Sequence, residues 1–300
     1  VLSASTATSH PSSPGARPTI AVAGAIALLA VVETAQALIA PSRAPTDADW
    51  SAAAGVVRAG FQPGDLIVAA PDWADPVVRM HLGDLITVPA AARMDDARFP
   101  RVWEITQRGA RAVEARGSVT VDRRFGALTV RCYQRPAADV TYDFLERWHE
   151  AQVTVWEVGG RSPSPCPWRG DRFVCPGSGA SLHRELVEVD TRIRRALLAP
   201  PSAGTITVVE FPAVPLGREL AVAAGLHDVW ARKYATGTVY LKVLVGGVEV
   251  LGTSVGNRSG WQRLRADTAA RAGQVLPVRF EISSPQPNLR HFAFAAEARR

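Results

Sequence analysis

The chain has 300 residues, with 34 Lys and Arg against 28 Asp and Glu for a formal charge of +6. Its basic residues are scattered singly or in pairs such as Arg123-Arg124 and Arg194-Arg195, which excludes the concentrated footprint of a nucleic-acid surface. Three cysteines and no metal-ligand spacing exclude a zinc framework, and neither metal nor cofactor is expected.

Residues 1–18 are rich in Ser, Thr, Pro and Ala and read as a disordered lead. From Thr19 to Ala40 the chain runs TIAVAGAIALLAVVETAQALIA, which as a helix extends about 33 Å. A bilayer's hydrocarbon layer is roughly 30 Å thick, so the run predicts a transmembrane helix at 19–40 in preference to a cleaved signal peptide or a buried helix. Glu33 and Gln36 share one face of it, and the flanking basic residues are too balanced to set an orientation. This places the chain in a bacterial cell membrane with a single span, its bulk on the extracytoplasmic side and the lipid bilayer as a partner. The chain opens on Val, which leaves room for a longer polytopic parent.

Residues 46–140 read as a small α/β domain. Asp47–Ala59 is a helix capped by Thr46 or Asp47, with Trp50, Ala54 and Val57 at helical spacing. Leu66–Ala70 is a wholly apolar strand, broken by Pro71-Asp72-Trp73 and followed by a helix near Pro76–Leu82. A helix at Ala90–Asp96, a strand at Arg101–Ile105, a short helix at Gly109–Ala115 and a strand at Leu128–Arg135 complete an at least partly parallel unit. No glycine-rich turn follows the first strand, so the phosphate cradle of a dinucleotide fold is missing. A crevice above the strand ends would present Asp72, Trp73, Asp75 and Glu104. The plainer reading, with Trp73 as a lid and the aspartates solvated, is preferred.

Residues 141–184 form a connector. Within it Cys166 and Cys175 frame the loop CPWRGDRFVC, whose flanking prolines and internal glycine suit a disulfide-closed turn better than two unpaired thiols. A disulfide there would set the main body outside the cytoplasm. Cys132, in LTVRCYQR, reads as a partly buried strand residue.

From 185 to 300, short strand candidates run from Leu186–Val189 to His291–Ala296, separated by turns such as Pro200-Pro201, Gly246-Gly247 and Gly256-Asn257. This spacing describes an antiparallel β-sandwich of jelly-roll type. The fold class is therefore α+β multidomain: a transmembrane helix, a small α/β domain and a β-sandwich.

Two clusters in the sandwich are dense in groups that bind rather than pack. His227, Asp228, Trp230 and Arg232 lie in GLHDVWARKY; Asn257, Arg258, Trp261 and Arg263 make the second, and His291 joins either. Saccharide recognition needs this mixture, a flat aromatic for the C–H face of a ring and charged forks for its hydroxyls. The bland alternative makes Trp230 and Trp261 core or rim aromatics and the arginines holders of surface carboxylates. No serine sits in a nucleophile elbow, and although Glu188 and Asp190 share a strand face, nothing marks either as buried, so no catalytic residue is assigned.

The succession Thr19–Ala40, Asp49-Trp50, Pro63-Gly64-Asp65 and Pro71-Asp72-Trp73 resembles the end of bacterial polytopic glycosyltransferases of the protein-mannosyltransferase/ArnT-like superfamily. That resemblance, confined to about residue 85, implies an extracytoplasmic domain packed on a membrane domain that uses polyprenyl-phosphate sugars. The catalytic acids of that family lie in an early loop with no counterpart here. The C-terminal half generally resembles carbohydrate-binding sandwiches. The expected function is a non-catalytic, membrane-anchored protein that binds a saccharide, glycolipid or membrane-protein partner in envelope glycan assembly. The rivals are a structural subunit of an envelope complex and a glycosyltransferase-associated domain of a larger enzyme.

Overall fold

The computed structural model describes residues 16–39, 44–176, 181–233 and 237–300. The lead up to residue 15 and the end of the predicted span at Ala40 lie outside the described residues. The helices are α1 (Ala16–Ile39), α2 (Asp47–Gly60), α3 (Asp75–Leu82), α4 (Val88–Ala91) and α5 (Asp228–Lys233).

The transmembrane expectation is corrected. Among the described residues no helix is long and apolar enough to cross a membrane. The uninterrupted apolar part of α1, from Thr19 to Val32, covers only about 21 Å at helical rise, short of a bilayer, before Glu33 and Gln36 intervene. The single-span membrane localisation falls with it, and so does the fold class that included it. The described residues are instead mostly β-sheet with few helices.

A mixed four-stranded sheet comprises β1 (Leu66–Ala70), β2 (Arg101–Gln107), β3 (Ser118–Phe125) and β4 (Leu128–Gln134), in the order β1-β2-β4-β3. β1 and β2 are parallel, while β4 runs antiparallel to both its neighbours. Helix α2 begins in a reciprocal capping box, the Asp49 amide donating to Thr46 Oγ1 at 3.2 Å and the Thr46 amide to Asp49 at 2.9 Å. Its buried Trp50, Ala53, Ala54 and Val57 pack on Ile67 and Ala69, while Leu66, Val68 and Ala70 face a second cluster with Tyr133. β1 is apolar throughout because both its faces are covered.

Two expected helices differ. The one near 90–96 shortens to α4, and Gly109–Ala115 is irregular because the wholly buried Glu104 carboxylate accepts the Ala112 amide at 2.7 Å. Arg108 and Gly109 turn the chain there with φ of 55° and 72°.

The remaining strands form a sandwich of two antiparallel sheets. They are β5 (Val140–Asp143), β6 (Gln152–Glu157), β7 (Ser164–Pro165), β8 (Trp168–Arg169), β9 (Arg172–Val174), β10 (Ser181–Val189), β11 (Arg192–Leu198), β12 (Thr205–Pro215), β13 (Glu219–Leu226), β14 (Val239–Val245), β15 (Val248–Val255), β16 (Gln262–Asp267), β17 (Val275–Ser283) and β18 (Phe292–Arg299). One sheet has the order β16-β13-β18-β11-β10-β9-β8, with β5 also on β18; the other is β15-β14-β17-β12-β6-β7. Residues 140–174, between the mixed sheet and β10, thus supply strands to both layers. Alternate residues of the two layers meet in one core, where Phe144 packs edge-on against Phe211 and Phe280 at 4.8 and 5.3 Å. Cys166 and Cys175 form a disulfide at the core's edge, beside Trp148, Trp168 and Phe173.

Strands β13 and β18 are buried on both faces. Their inner side chains, such as Val222, Phe292 and Phe294, fill the core. Their outer ones are mainly small, Ala221, Ala223, Ala293 and Ala295, and so allow close approach of the loop after α4. That loop is held by charge. Arg299 donates from both terminal nitrogens to Asp95 at 2.9 Å and from Nε to Glu297 at 2.8 Å. Arg98 bridges Glu297 and Asp143, and the Arg195 amide donates to the Ala92 carbonyl at 2.8 Å. Burial alone would raise the Asp95 carboxyl, but the Arg299 hydrogen bonds and charge bring it below the usual range.

Removing one partner of such a buried pair leaves the other charge unpaired, at a cost of about 3–5 kcal/mol. Asp95→Ala is therefore expected to lower unfolding stability by about that amount. The double variant Asp95→Ala/Arg299→Met should recover a good part of it, as measured by urea denaturation of all three chains.

Candidate functional site

At one end of the sandwich the β10–β11 hairpin folds over the outer face of its own sheet. Its two-residue turn, Asp190-Thr191, has φ of 50° and 62°, the twist required for Val189 to face Arg192 across a tight hairpin. Gly225 makes the fold-over possible. A Cβ there would stand 3.0 Å from Val189 and 3.1 Å from Trp261, so that one of them would have to shift by a few tenths of an ångström. Trp261 fills the gap against Val187, Val189, Ala196, Leu198 and Ala293, and its Nε1 donates to the Arg192 carbonyl at 2.9 Å. It is a wedge under the hairpin rather than an open stacking platform.

Beyond the hairpin tip lies a cavity of about 240 Å³. Asp228, Asn257 and Arg258, three of the residues singled out from the sequence, line it together with Asp190, over a floor of Val189 and Leu226. They come from three separate segments, so convergence is a product of the fold. Asn257 is oriented by the buried Arg290, whose guanidinium donates to its Oδ1. The Gly256 amide donates to Ser259 Oγ at 3.0 Å, closing the loop that carries Arg258. The Trp230 and Arg232 side chains on α5 lie outside the described residues.

His227 and His291 are brought together elsewhere on the rim, the His227 amide donating to the His291 carbonyl at 2.9 Å. Burial, and then the neighbouring His227, push the His291 imidazole below its usual range, with Glu185 opposing. His183 faces Glu185 at 3.1 Å, and the Nδ1 atoms of His183 and His227 are buried without a hydrogen-bond partner. Among the described residues no group of His, Cys, Asp and Glu could hold a metal ion.

Arg263 faces away from the larger cavity. It lines a small cleft of about 50 Å³ at the seam with the loop after α4, opposite Asp95, Asp96 and Arg116. Arg194 lies with its guanidinium 5.0 Å from the Trp261 ring. Burial, then Arg263, Arg192 and Arg93, push Arg194 down to about 9.

The crevice residues of the mixed sheet do not converge. Asp72 pairs with Arg192 of the sandwich, and Asp75 holds Arg79 at 2.6 Å. Trp73 is 60% exposed under the Arg108 guanidinium. Glu104 is fully buried, accepting from the Ala112 amide and from the Tyr133 hydroxyl at 3.1 Å. Sequence reasoning assigned no site role to Asp190, Arg192, Arg194 or His183. The only local signal was the Asp-Thr pair between two alternating runs, a weak hairpin mark.

No protein-family model and no curated protein matches the chain. Solved structures match it in part. A CBM51 module from Clostridium perfringens GH95, in complex with methyl-galactose, aligns at 8% identity and a TM-score of 0.30, over 39% of this chain and 81% of that one. CBM51-2 and INT domains from Clostridium perfringens ZmpB, in complex with GlcNAc, align at 12% identity and 0.32, over 65% of this chain and 40% of that one. The xylan-binding module CBM15 aligns at 10% identity and 0.24, over 49% and 90%. The sandwich architecture rests on the strand order above. The resemblance to polytopic glycosyltransferases finds no support among the family models or curated proteins.

Because the His291 imidazole is lowered in the fold, the unfolded chain takes up its proton more readily. Its contribution to stability is complete above about pH 6.5 and is lost as the pH falls from there toward the lowered folded value. Melting curves from pH 7.5 to 5 should show a steeper loss for the wild type than for His291→Gln. A parallel pair of curves refutes the assignment.

Proposed function

We propose that the sandwich is a non-catalytic saccharide-binding module whose site is the cavity beyond the β10–β11 hairpin. The observation that carries this reading is the convergence of Asp190, Asp228, Asn257 and Arg258 around a concave space with an apolar floor. Acceptor carboxylates, an amide and a guanidinium fork are the groups that hold vicinal hydroxyls, while Val189 and Leu226 suit the C–H edge of a ring. At about 240 Å³ the space is smaller than the roughly 300–1,000 Å³ of usual small-molecule pockets, which favours one terminal sugar unit over an extended chain.

Rigidity supports the same reading. The Asn257 contact with buried Arg290 and the tight hairpin turn set the polar groups before any ligand arrives, which lowers the entropic cost of binding. The non-catalytic part of the proposal follows from the crevice, where Asp72, Asp75 and Glu104 are each engaged in separate contacts. The Cys166–Cys175 disulfide supports work in an oxidising compartment, in keeping with a glycan ligand outside the cytosol.

Glycan-array screening of the full chain, followed by calorimetric titration of the best ligand, tests the assignment. Arg258→Ala, at an exposed position, should weaken binding about tenfold, equivalent to about 1.4 kcal/mol, without changing the melting temperature, and Asp228→Ala should weaken it by a similar factor. An array silent across neutral and acidic sugars removes the proposal.

A further inference from the structure

Three histidines share the outer face of the sheet that carries the β10–β11 hairpin. Leu182, Leu226 and Phe292 point into the sandwich core, so their neighbours His183, His227 and His291 point outward by strand alternation. The pairing of Leu226 with Phe292 continues to His227 and His291, joined by their 2.9 Å backbone bond. Opposed residues of a hydrogen-bonded pair lie about 5.5 Å apart at Cα and project to one face, which sets the two rings side by side. His183 and Glu185 lie on the hairpin's underside, in line with Val187 and Val189, which pack with Ala293 two residues from His291. β11 adds Ala196 and Leu198 to this underside, with Arg194 further toward the tip. Asp228 adjoins His227, and Arg290 adjoins His291 but is directed to Asn257. Among the described residues, the ladder bonds of the hairpin beyond His183 run between its own two strands until β18 joins at Leu197 and Leu198.

We propose that the β10–β11 hairpin is an acid-released cover, latched over the outer sheet face while His227 and His291 are uncharged, and that its release dismantles the cavity at its tip. An imidazolium carries a proton on both ring nitrogens, and Nδ1 of His227 is buried without a partner, so charging that ring under the cover leaves a donor with no acceptor. Lifting the hairpin hydrates both rings, so opening takes up protons and falling pH favours it. The lowered imidazole of His291, due first to burial and then to His227, agrees in sign. Closure is then complete above about pH 6.5 and is lost below it. Charging His183 strengthens its 3.1 Å contact with Glu185, but both residues belong to β10, so that contact travels with the hairpin and does not hold it shut. Opening withdraws Val189 and Asp190 from the cavity. The effect on a ligand rests on the saccharide reading of that cavity; the latch itself does not.

Hydrogen-exchange mass spectrometry of the full chain at pH 7.5 and 5.5, corrected for intrinsic amide exchange, tests the latch. Protection of residues 183–196 should fall about tenfold, the effect of one proton taken up on opening across roughly one pH unit, while β12 and β17 keep theirs. The double variant His227→Gln/His291→Gln should show no such fall. Should it fail to fold, exposed Glu185→Gln decides: without the carboxylate that favours the charged form of His291, the acid loss should deepen. Equal protection at both pH values, a parallel loss in β12 and β17, an undiminished loss in the double variant or an unchanged one in Glu185→Gln overturns the latch. For the cavity, the tightest binder in a panel of methyl hexopyranosides is titrated calorimetrically at both pH values. Its affinity should fall in step with hairpin protection, and an opened hairpin with unchanged affinity overturns the gating. A panel without a binder at neutral pH defeats the saccharide reading, and hydrogen exchange alone then decides the latch.

Discussion

Arg299 and Asp95 meet through two parallel hydrogen bonds where the last strand of the sandwich passes under the loop after α4. The geometry is the fork-on-fork pairing that makes arginine effective against a carboxylate, and Glu297 takes the third nitrogen. Such a buried network gains little over well-packed apolar groups, but breaking one of its pairs leaves an uncompensated buried charge. Arg98, reaching from the same loop to Glu297 and Asp143, extends it to the β5 edge. The position of the mixed sheet against the sandwich follows from this set of contacts.

That position has consequences for the whole outer face of the β13/β18 layer. Alanines there would be a poor solvent-facing surface and a poor ligand surface, but they are suited to close approach by another segment. The loop after α4 covers one end of the layer, and the β10–β11 hairpin covers the other. Where they meet, charged side chains are trapped between two folded bodies. The arginine cluster around Arg194 is a product of that meeting, since Arg93 comes from one body and Arg192, Arg194 and Arg263 from the other. With the face occluded, the larger cavity lies at the rim beyond the hairpin tip, where Asp190, Asp228, Asn257 and Arg258 gather.

Trp261 illustrates how composition alone misleads. A tryptophan among arginines, near an asparagine and a histidine, has the chemistry of a sugar-stacking site. Here Gly225 admits its ring beneath the hairpin, so it serves packing, and the polar groups around it divide between two different clefts. The apolar run near the start misleads for a related reason. Its length suggested a membrane span, although Glu33 and Gln36 shorten the part that hydrocarbon would accept.

Local pattern was sufficient for much of this chain. The alternation and turn residues after position 185 specify strands, because a pleated strand with one buried face must repeat every two residues. The wholly apolar Leu66–Ala70 specifies a strand covered on both sides, and the prolines and glycines around Cys166 and Cys175 specify a closed loop. Asp228, Asn257 and Arg258 could be singled out by their chemistry. Their meeting with Asp190, the burial of Arg194 and the engagement of Glu104 by the Ala112 amide could not. Each depends on contacts between segments far apart in the chain, and a periodic pattern records only which way a side chain faces within its own strand, not what lies across from it.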